Sequence, residues 1–252
     1  MDAPLPPFEL FQPLLASTVD IHHEGTHFRF FVANPFDYIQ AHHARGTLYE
    51  PASLAMIAKH FPPGGTFVDV GAYIGNHAIF AAMHLGATEV IAFEPGLEAH
   101  TILTVNKALN DLTRFEIRKE ALSDAAGEAV LMTPAPLHLG RNHLVRTDTG
   151  QKTDPEQKKS TGPGQRVPVL RGDDALADRK VSFLKVDVEG HEMQALRGCN
   201  KVIAAQRPFI FAEIRDVFRS ELDAWCIEQR YRIADSIRQY QGEENLLLRP
   251  TD

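Results

Sequence analysis

The hydrophobic pattern changes character at Pro62-Pro63-Gly64-Gly65. Downstream of that strong punctuation, short apolar runs alternate with amphipathic stretches. Runs this compact, bounded by glycine and polar turns, predict strands at 66–70, 89–93 and 115–118. Helical spacing predicts helices at 76–85 and 98–109. The middle is less regular, with strands expected at 128–132 and 166–170. The rhythm then resumes. A strand at 181–186 precedes a helix at 191–205 whose apolar set is Met193, Leu196, Val202 and Ile203. A strand at 208–212 ends at Glu213, a helix follows at 217–229, and strands at 231–234 and 245–248 flank a polar turn at Gln241-Gly242-Glu243.

Strands and helices alternating at these lengths imply right-handed βαβ units and a mostly parallel, doubly wound α/β sheet. Residues 1–60 read as an irregular extension packed on that domain, which spans 61–252. The extension holds one strand at 28–33 and one helix at 51–60, with Leu54, Ile57, Ala58 and Phe61 on a shared side. No internal repeat is present. Residues 147–166 contain no apolar side chain heavier than proline's ring. Such a stretch cannot offset the entropy of ordering by apolar burial, so a mobile surface loop is expected.

Composition narrows the function. A chain of 252 residues, 44% hydrophobic and 23% charged, suits one ordinary globular domain. The net charge of −7 argues against a dedicated nucleic-acid binder, which carries a basic excess. The opening Met-Asp-Ala-Pro-Leu-Pro-Pro has no basic region leading into an apolar core, so no signal peptide is expected. No apolar run approaches the roughly 18 residues of a spanning helix, so no membrane partner is expected either. Cys199 and Cys226 form neither a metal spacing nor a disulfide framework. A reducing, cytoplasmic location fits them.

Chemistry concentrates at the predicted strand ends. Asp69-Val70-Gly71-Ala72-Tyr73-Ile74-Gly75-Asn76 follows one strand and opens a helix. Its glycines permit a sharp turn and close approach of a ligand to the backbone. The dinucleotide fingerprint G-x-G-x-x-G would need glycine where Tyr73 stands. Asp69 would repel a pyrophosphate but suits a cation such as the amino group of S-adenosylmethionine. A nicotinamide-dependent oxidoreductase is therefore disfavoured. Phe93-Glu94-Pro95 ends the next strand, where a carboxylate can accept hydrogen bonds from ribose hydroxyls. Lys185-Val186-Asp187-Val188-Glu189-Gly190-His191-Glu192 crowds acids and a histidine at the end of a third strand. In open α/β sheets these groups face the same crevice. Glu192 also fits plain support of a helix N-terminus. Near Ala121-Leu122-Ser123-Asp124, either Asp124 or the backbone can meet an adenine amino group.

Together these pieces, with Tyr49-Glu50-Pro51 and Arg197-Gly198, resemble the FkbM-type methyltransferase family over roughly residues 45–250. The resemblance implies a class I methyltransferase (Rossmann-like) sheet of seven strands with the last antiparallel. It implies S-adenosylmethionine as cofactor and a hydroxyl acceptor on a small molecule or glycan. The expected cofactor set is Tyr49, Glu50, Asp69, Gly71, Ala72, Tyr73, Gly75, Asn76, Glu94, Pro95, Ala121, Leu122 and Asp187. The insert at 147–166 is longer than the usual pattern, which bears on the acceptor pocket.

A hydroxyl acceptor needs its proton taken by a base in reach. The candidates are Asp187, Glu189, His191 and Glu213, and His191 has the most suitable unperturbed pKa. A divalent cation held by the carboxylates is the other route, and the pattern leaves both open. A non-catalytic module that keeps the fold is the main rival reading. Elsewhere no metal site is expected. For His22, His23 and His27, as for His42 and His43, adjacent histidines in a strand point to opposite faces, and no cysteine or acid completes a site. Trp225, at helical spacing from Leu222, is expected to pack in the core or an interface. Arg141, His143 and Arg146 read as a solvated basic loop.

Overall fold

The computed structural model describes residues 16–133, 140, 142–145 and 164–251. A hairpin of β1 (Ser17–His23) and β2 (Thr26–Val32) leads through α1 (Gln40–Ala44) to α2 (Pro51–His60). The expected alternation follows: β3 (Thr66–Val70), α3 (Asn76–Met83), β4 (Glu89–Phe93), α4 (Leu97–Leu109) and β5 (Phe115–Arg118). The middle holds β6 (Ala121–Ser123), β7 (Gly127–Met132), β8 (His143–Val145), β9 (Gly164–Arg171) and the short α5 (Gly172–Ala175). The chain then runs through β10 (Phe183–Val186), α6 (Glu192–Gly198), α7 (Asn200–Gln206), β11 (Phe209–Arg215), α8 (Arg219–Gln229), β12 (Tyr231–Ile237) and β13 (Glu243–Pro250).

The central sheet has seven strands in the order β12-β13-β11-β10-β3-β4-β5. β3 pairs parallel with both β4 and β10, whereas β13 runs antiparallel to β11 and β12. This is the class I methyltransferase arrangement, with the last strand reversed as expected. The chain leaves β3 toward β4 on one side and reaches β10 on the other. The carboxyl ends of β3 and β10 therefore flank the switch point where open α/β sheets form their crevice.

Strand alternation sorts the side chains to two faces. Val68, Val70, Leu184 and Val186 pack into one core with α6, α7 and α8 residues such as Leu196, Ile203 and Trp225. Phe67 and Phe183 belong to the other, stacked with ring centroids 5.4 Å apart. That second face is covered by the extension: Phe28, Phe30, Leu54 and Ile57 are all at most 1% exposed. The hairpin and α2 thus supply part of the core of this face.

Two features differ from the sequence reading. β6, β9, β7 and β8 form a separate four-stranded sheet with a small core of its own, including Leu131, Leu144 and Val167. Apolar runs at 128–132 and 166–170 disclosed two of its strands but not their non-local pairing. The helix expected at 191–205 is two helices that break at Cys199. Its apolar periodicity runs across the break. The backbone bends where a Cβ on Gly198 would collide with the carbonyl of Ser123. Of the expected loop at 147–166, Gly164 to Arg166 open β9 and the rest lies outside the described residues, as do Arg141 and Arg146. Among the described residues no helix is long and apolar enough to cross a membrane.

Candidate functional site

The turn after β3 is shaped by backbone geometry. Gly71 has φ +84, and a Cβ there would fall on the Asp187 carbonyl group. The N–H groups of Gly71 and Ala72 both donate to the Phe93 carbonyl, each at 3.0 Å. Tyr73 (φ +48) and Gly75 (φ +95) complete a loop that doubles back before α3. Non-glycine residues in this region are strained and persist where surrounding contacts hold them. Tyr73 is held by donating its N–H to Glu94 Oε2 at 2.9 Å. Gly96 donates to Glu94 Oε1 at 2.7 Å. Burial pushes the Glu94 carboxyl up to about 7 against those two donors. Each of its oxygens still has a second acceptor position.

Beneath the turn lies a buried ion pair. Asp69 and Lys185 are register partners on β3 and β10, and Lys185 Nζ stands 3.0 Å from Asp69 Oδ1. The ammonium also donates to the Gly71 carbonyl at 2.9 Å and lies 3.4 Å from Asp187 Oδ2. Burial opposes its charge, but the Asp69 and Asp187 carboxylates prevail and hold it protonated above the ordinary lysine range. Burial likewise pushes the Asp69 carboxyl up, with Lys185 opposing. Asp69 is completely buried and does not line the crevice. Its expected contact with a ligand's amino group is corrected: the carboxylate faces Lys185, and its influence on the crevice passes through that residue.

Two cavities open above this pair. The larger, about 350 Å³, is lined by Tyr49, Glu50, Gly71, Ala72, Tyr73 and Asn76 on one side and by Asp187, Glu189 and Glu213 on the other. The smaller, about 50 Å³, takes its walls from Glu94, Pro95, Ala121, Leu122, Leu131 and Leu144. Gly71, Tyr73, Asp187 and Glu189 border both.

Carboxylate oxygens of Asp187, Glu189 and Glu213 lie within 4.8 Å of one another. Burial, then repulsion from Asp187, pushes Glu189 up to about 8, although Arg215 sits 2.7 Å away. Glu213 is held well above the usual carboxylate range by burial and by Asp187, Glu189, Glu243 and Glu50. Distance alone would let these three groups hold a divalent cation, but the Arg215 guanidinium already balances Glu189. Across the cavity burial raises Glu50 to about 7, and its backbone is left-handed at φ +51. Its oxygen lies 3.6 Å from His77 Nε2, an imidazole kept neutral by burial.

Eleven of the thirteen expected cofactor residues border a cavity, and Gly71, Tyr73 and Asp187 border both. Asp69 and Gly75 do not. Gly75 instead lets Leu103 and Ile79 pack where a Cβ would stand. Asn76 reaches the cavity, but its amide is occupied. Its Nδ2 donates to the Tyr49 carbonyl, and its Oδ1 accepts from the Tyr49 N–H, both at 3.0 Å. Its task is to hold the Tyr49-Glu50 segment in place. His191 is corrected as a base candidate. It is 6% exposed, its Nε2 is 2.9 Å from Ser123 Oγ, and it borders neither cavity. Glu192 supports the turn before α6, accepting N–H bonds from Val188 and Gly190 at 3.1 and 2.7 Å. Asp124 accepts from Ser123 rather than facing the crevice. Trp225 is core, with its N–H donated to Asn200.

The sequence reading gave no role to Lys185, His77, Asp37, Tyr38 or Tyr240, all of which line the larger cavity. Lys185 carried a signal: a charge at an inward position of an otherwise apolar strand requires a buried partner. Tyr240 did not. It comes from the polar turn between β12 and β13, and its hydroxyl lies 3.0 Å from that of Tyr49.

The 31-O-demethyl-FK506 methyltransferase FkbM of Streptomyces tacrolimicus is 30% identical over 62% of this chain and 67% of its own length. The hexuronic acid methyltransferase AglP of Haloferax volcanii is 29% identical over 58% of this chain, a match that spans 54% of the Haloferax protein. Among solved structures, a methyltransferase FkbM from Methylobacillus flagellatus superposes with TM-score 0.52 at 18% identity, over 74% of this chain and 44% of that one. The Bacillus subtilis tRNA methyltransferase TrmK superposes with TM-score 0.51 at 12% identity, over 82% and 68%. At those identities the structures speak for the fold alone. The family model described as the methyltransferase FkbM domain matches residues 69–241, from the first strand-end acid to the turn that carries Tyr240, and the chain belongs to that family.

Proposed function

We propose that the chain is an S-adenosylmethionine-dependent methyltransferase acting on a hydroxyl oxygen of a small molecule or glycan. The observation that carries this reading is the pair of cavities meeting at Gly71, Tyr73 and Asp187, one with an acidic tip and apolar walls, the other acid-lined. The smaller suits a nucleoside. Glu94 offers acceptors to ribose hydroxyls, and Leu122, Leu131 and Leu144 offer apolar walls to a base. The larger suits positive charge, because Glu50, Asp187, Glu189 and Glu213 line it. A dinucleotide's pyrophosphate would meet those acids and the Tyr73 side chain, which speaks against the oxidoreductase reading.

When bound, S-adenosylmethionine supplies a methyl group made electrophilic by its sulfonium. The chain supplies alignment and a dry, charged setting. Asp187, at the junction of the cavities, orients the acceptor hydroxyl, with its own carboxylate steadied by Lys185. Glu189 is tied to Arg215. Glu213, made more basic by burial among acids, is then the group that takes the hydroxyl proton. The relatives' printed names, one for a hexuronic acid and one for an O-demethyl compound, support an oxygen acceptor. The acid-lined cavity favours a neutral polyhydroxyl compound over an anionic one, and it gives no support to a nucleic-acid partner. Both cysteines are buried free thiols, in keeping with a cytoplasmic protein. The test is release of S-adenosylhomocysteine with a mass gain of one methyl group on an acceptor from a panel of sugars and hydroxylated small molecules. Oxidation of an acceptor with NAD in its place would overturn the reading.

A further inference from the structure

The β1–β2 hairpin turns at Glu24-Gly25, both with positive φ (+45 and +82), and its tip rests against the end of α3. There His23, Glu24 and His84 each present a ligand atom, and the three atoms lie within 4.8 Å of one another. His84 Nε2 is 3.5 Å from Glu24 Oε2. Two ligands on one tetrahedral zinc ion, with bonds of about 2.0–2.1 Å, stand roughly 3.4 Å apart. That pair is already at coordination spacing. The Thr26 hydroxyl lies 2.9 Å from His84 Nδ1. An Nδ1–H donated to that hydroxyl leaves the Nε2 lone pair facing Glu24, the outer-shell arrangement that fixes metal-bound histidines. Glu24 is exposed and both histidines are partly exposed, so an ion has a path from solvent.

Sequence logic discounted these histidines because neighbours on a strand face opposite ways. That holds for His22 and His23, whose cross-strand partners are His27 and Thr26. Only His23 faces α3. The acid that completes the set sits in the turn, and the second histidine comes from the far end of a distant helix. On the opposite face His22 and His27 stack at 4.6 Å, with His27 bound to Asp20 at 2.6 Å. That pair is an internal control.

The geometry points to a divalent transition-metal site of the zinc class built from His23, Glu24 and His84, with water as the fourth ligand. An ion there clips the hairpin to α3, the helix whose first turn carries Asn76. It is separate from the Asp187 cavity and does not depend on the methyltransferase reading.

The experiment uses the full chain without a histidine tag, stripped by chelator and desalted. It is titrated with cobalt(II) by visible absorption and with zinc(II) by calorimetry and thermal melting. One ion per chain, a tetrahedral cobalt spectrum and a higher Tm with zinc are expected. Glu24→Gln, an exposed change that leaves the fold intact, should weaken zinc binding at least about 10-fold and erase the Tm gain. His84→Ala should abolish binding, and Thr26→Val should weaken it about 10-fold. His27→Ala should leave it unchanged. Absence of zinc binding in the wild type, unaltered binding in Glu24→Gln, or loss in His27→Ala or Asp187→Asn in place of His84→Ala would each overturn the assignment.

Discussion

Glu94, just past β4, and the trio Asp187, Glu189 and Glu213, the first two past β10 and the third within β11, lie on opposite sides of β3, and their surroundings differ in kind. Both oxygens of Glu94 accept backbone N–H bonds, so its geometry is fixed before any ligand arrives. The trio crowds three acids together, with Arg215 balancing Glu189 and Lys185 balancing Asp187. Buried like charges are unfavourable until something positive or proton-donating joins them. One half of the site is preorganised for position; the other stores electrostatic demand that a cationic cofactor and a proton-bearing acceptor can satisfy. The first half should govern affinity, the second turnover.

The largest expected effect removes the joint between the halves. Gly71→Val places a side chain on the Asp187 backbone at a left-handed φ. Strain and overpacking together should destabilise the fold by about 3–5 kcal/mol, read as a collapse of the denaturation midpoint. A folded variant of normal stability would show that the halves do not meet as described.

Turnover should separate next. Glu213→Gln should lower kcat by about 10²–10⁴-fold, the range for a lost general base, with cofactor affinity little changed. Wild-type kcat should rise with pH as Glu213 gives up its proton, and the variant should lose that rise. Asp187→Asn should also lower kcat sharply. Full activity in Asp187→Asn would remove the catalytic half of the comparison.

Affinity comes third. Glu94→Ala should weaken S-adenosylhomocysteine binding by about 1–3 kcal/mol and leave the N–H groups of Tyr73 and Gly96 without their acceptor. His191→Ala should leave binding and the pH profile of kcat nearly unchanged, because its ring faces Ser123.

The smallest effect is linkage. Burial, helped by like charges, raises Glu50, Glu94 and Glu192 to about 7 and Glu189 to about 8, from the ordinary glutamate value of 4.5. The folded chain therefore binds these protons more tightly than the unfolded one. That stability is full below the unfolded value and is lost as pH rises through about 7–8. Buried His43, lowered to about 4, and His77 act in the opposite sense below 6.5. Tm should climb as pH falls from about 8.5 to about 6.5, and more gently from there toward about 4.5, where the two histidines offset part of the gain. A Tm that rose steadily with pH over that window would contradict the shared burial of these acids.

Most strands of the central sheet could be read in the sequence because each is a short buried run ended by a turn. β3, β4 and β5 match their expected ranges, and the acids that follow β4 and β10 border the cavities. Side-chain direction could not be read. His191 sits four positions after Asp187 yet turns away, because Glu189 and Gly190 adopt positive φ between them. Asp69 matched a ligand-binding pattern, but its register partner Lys185 claims it. The second sheet and the Tyr240 turn depend on contacts between distant segments, which local periodicity does not encode.

The most direct test of the account is calorimetry of S-adenosylhomocysteine, S-adenosylmethionine and NAD against the wild type and Glu94→Ala. Binding of both sulfur nucleosides, a clear loss in the variant and no binding of NAD are the predicted results. NAD bound more tightly than either, or full S-adenosylhomocysteine affinity in folded Glu94→Ala, would contradict it.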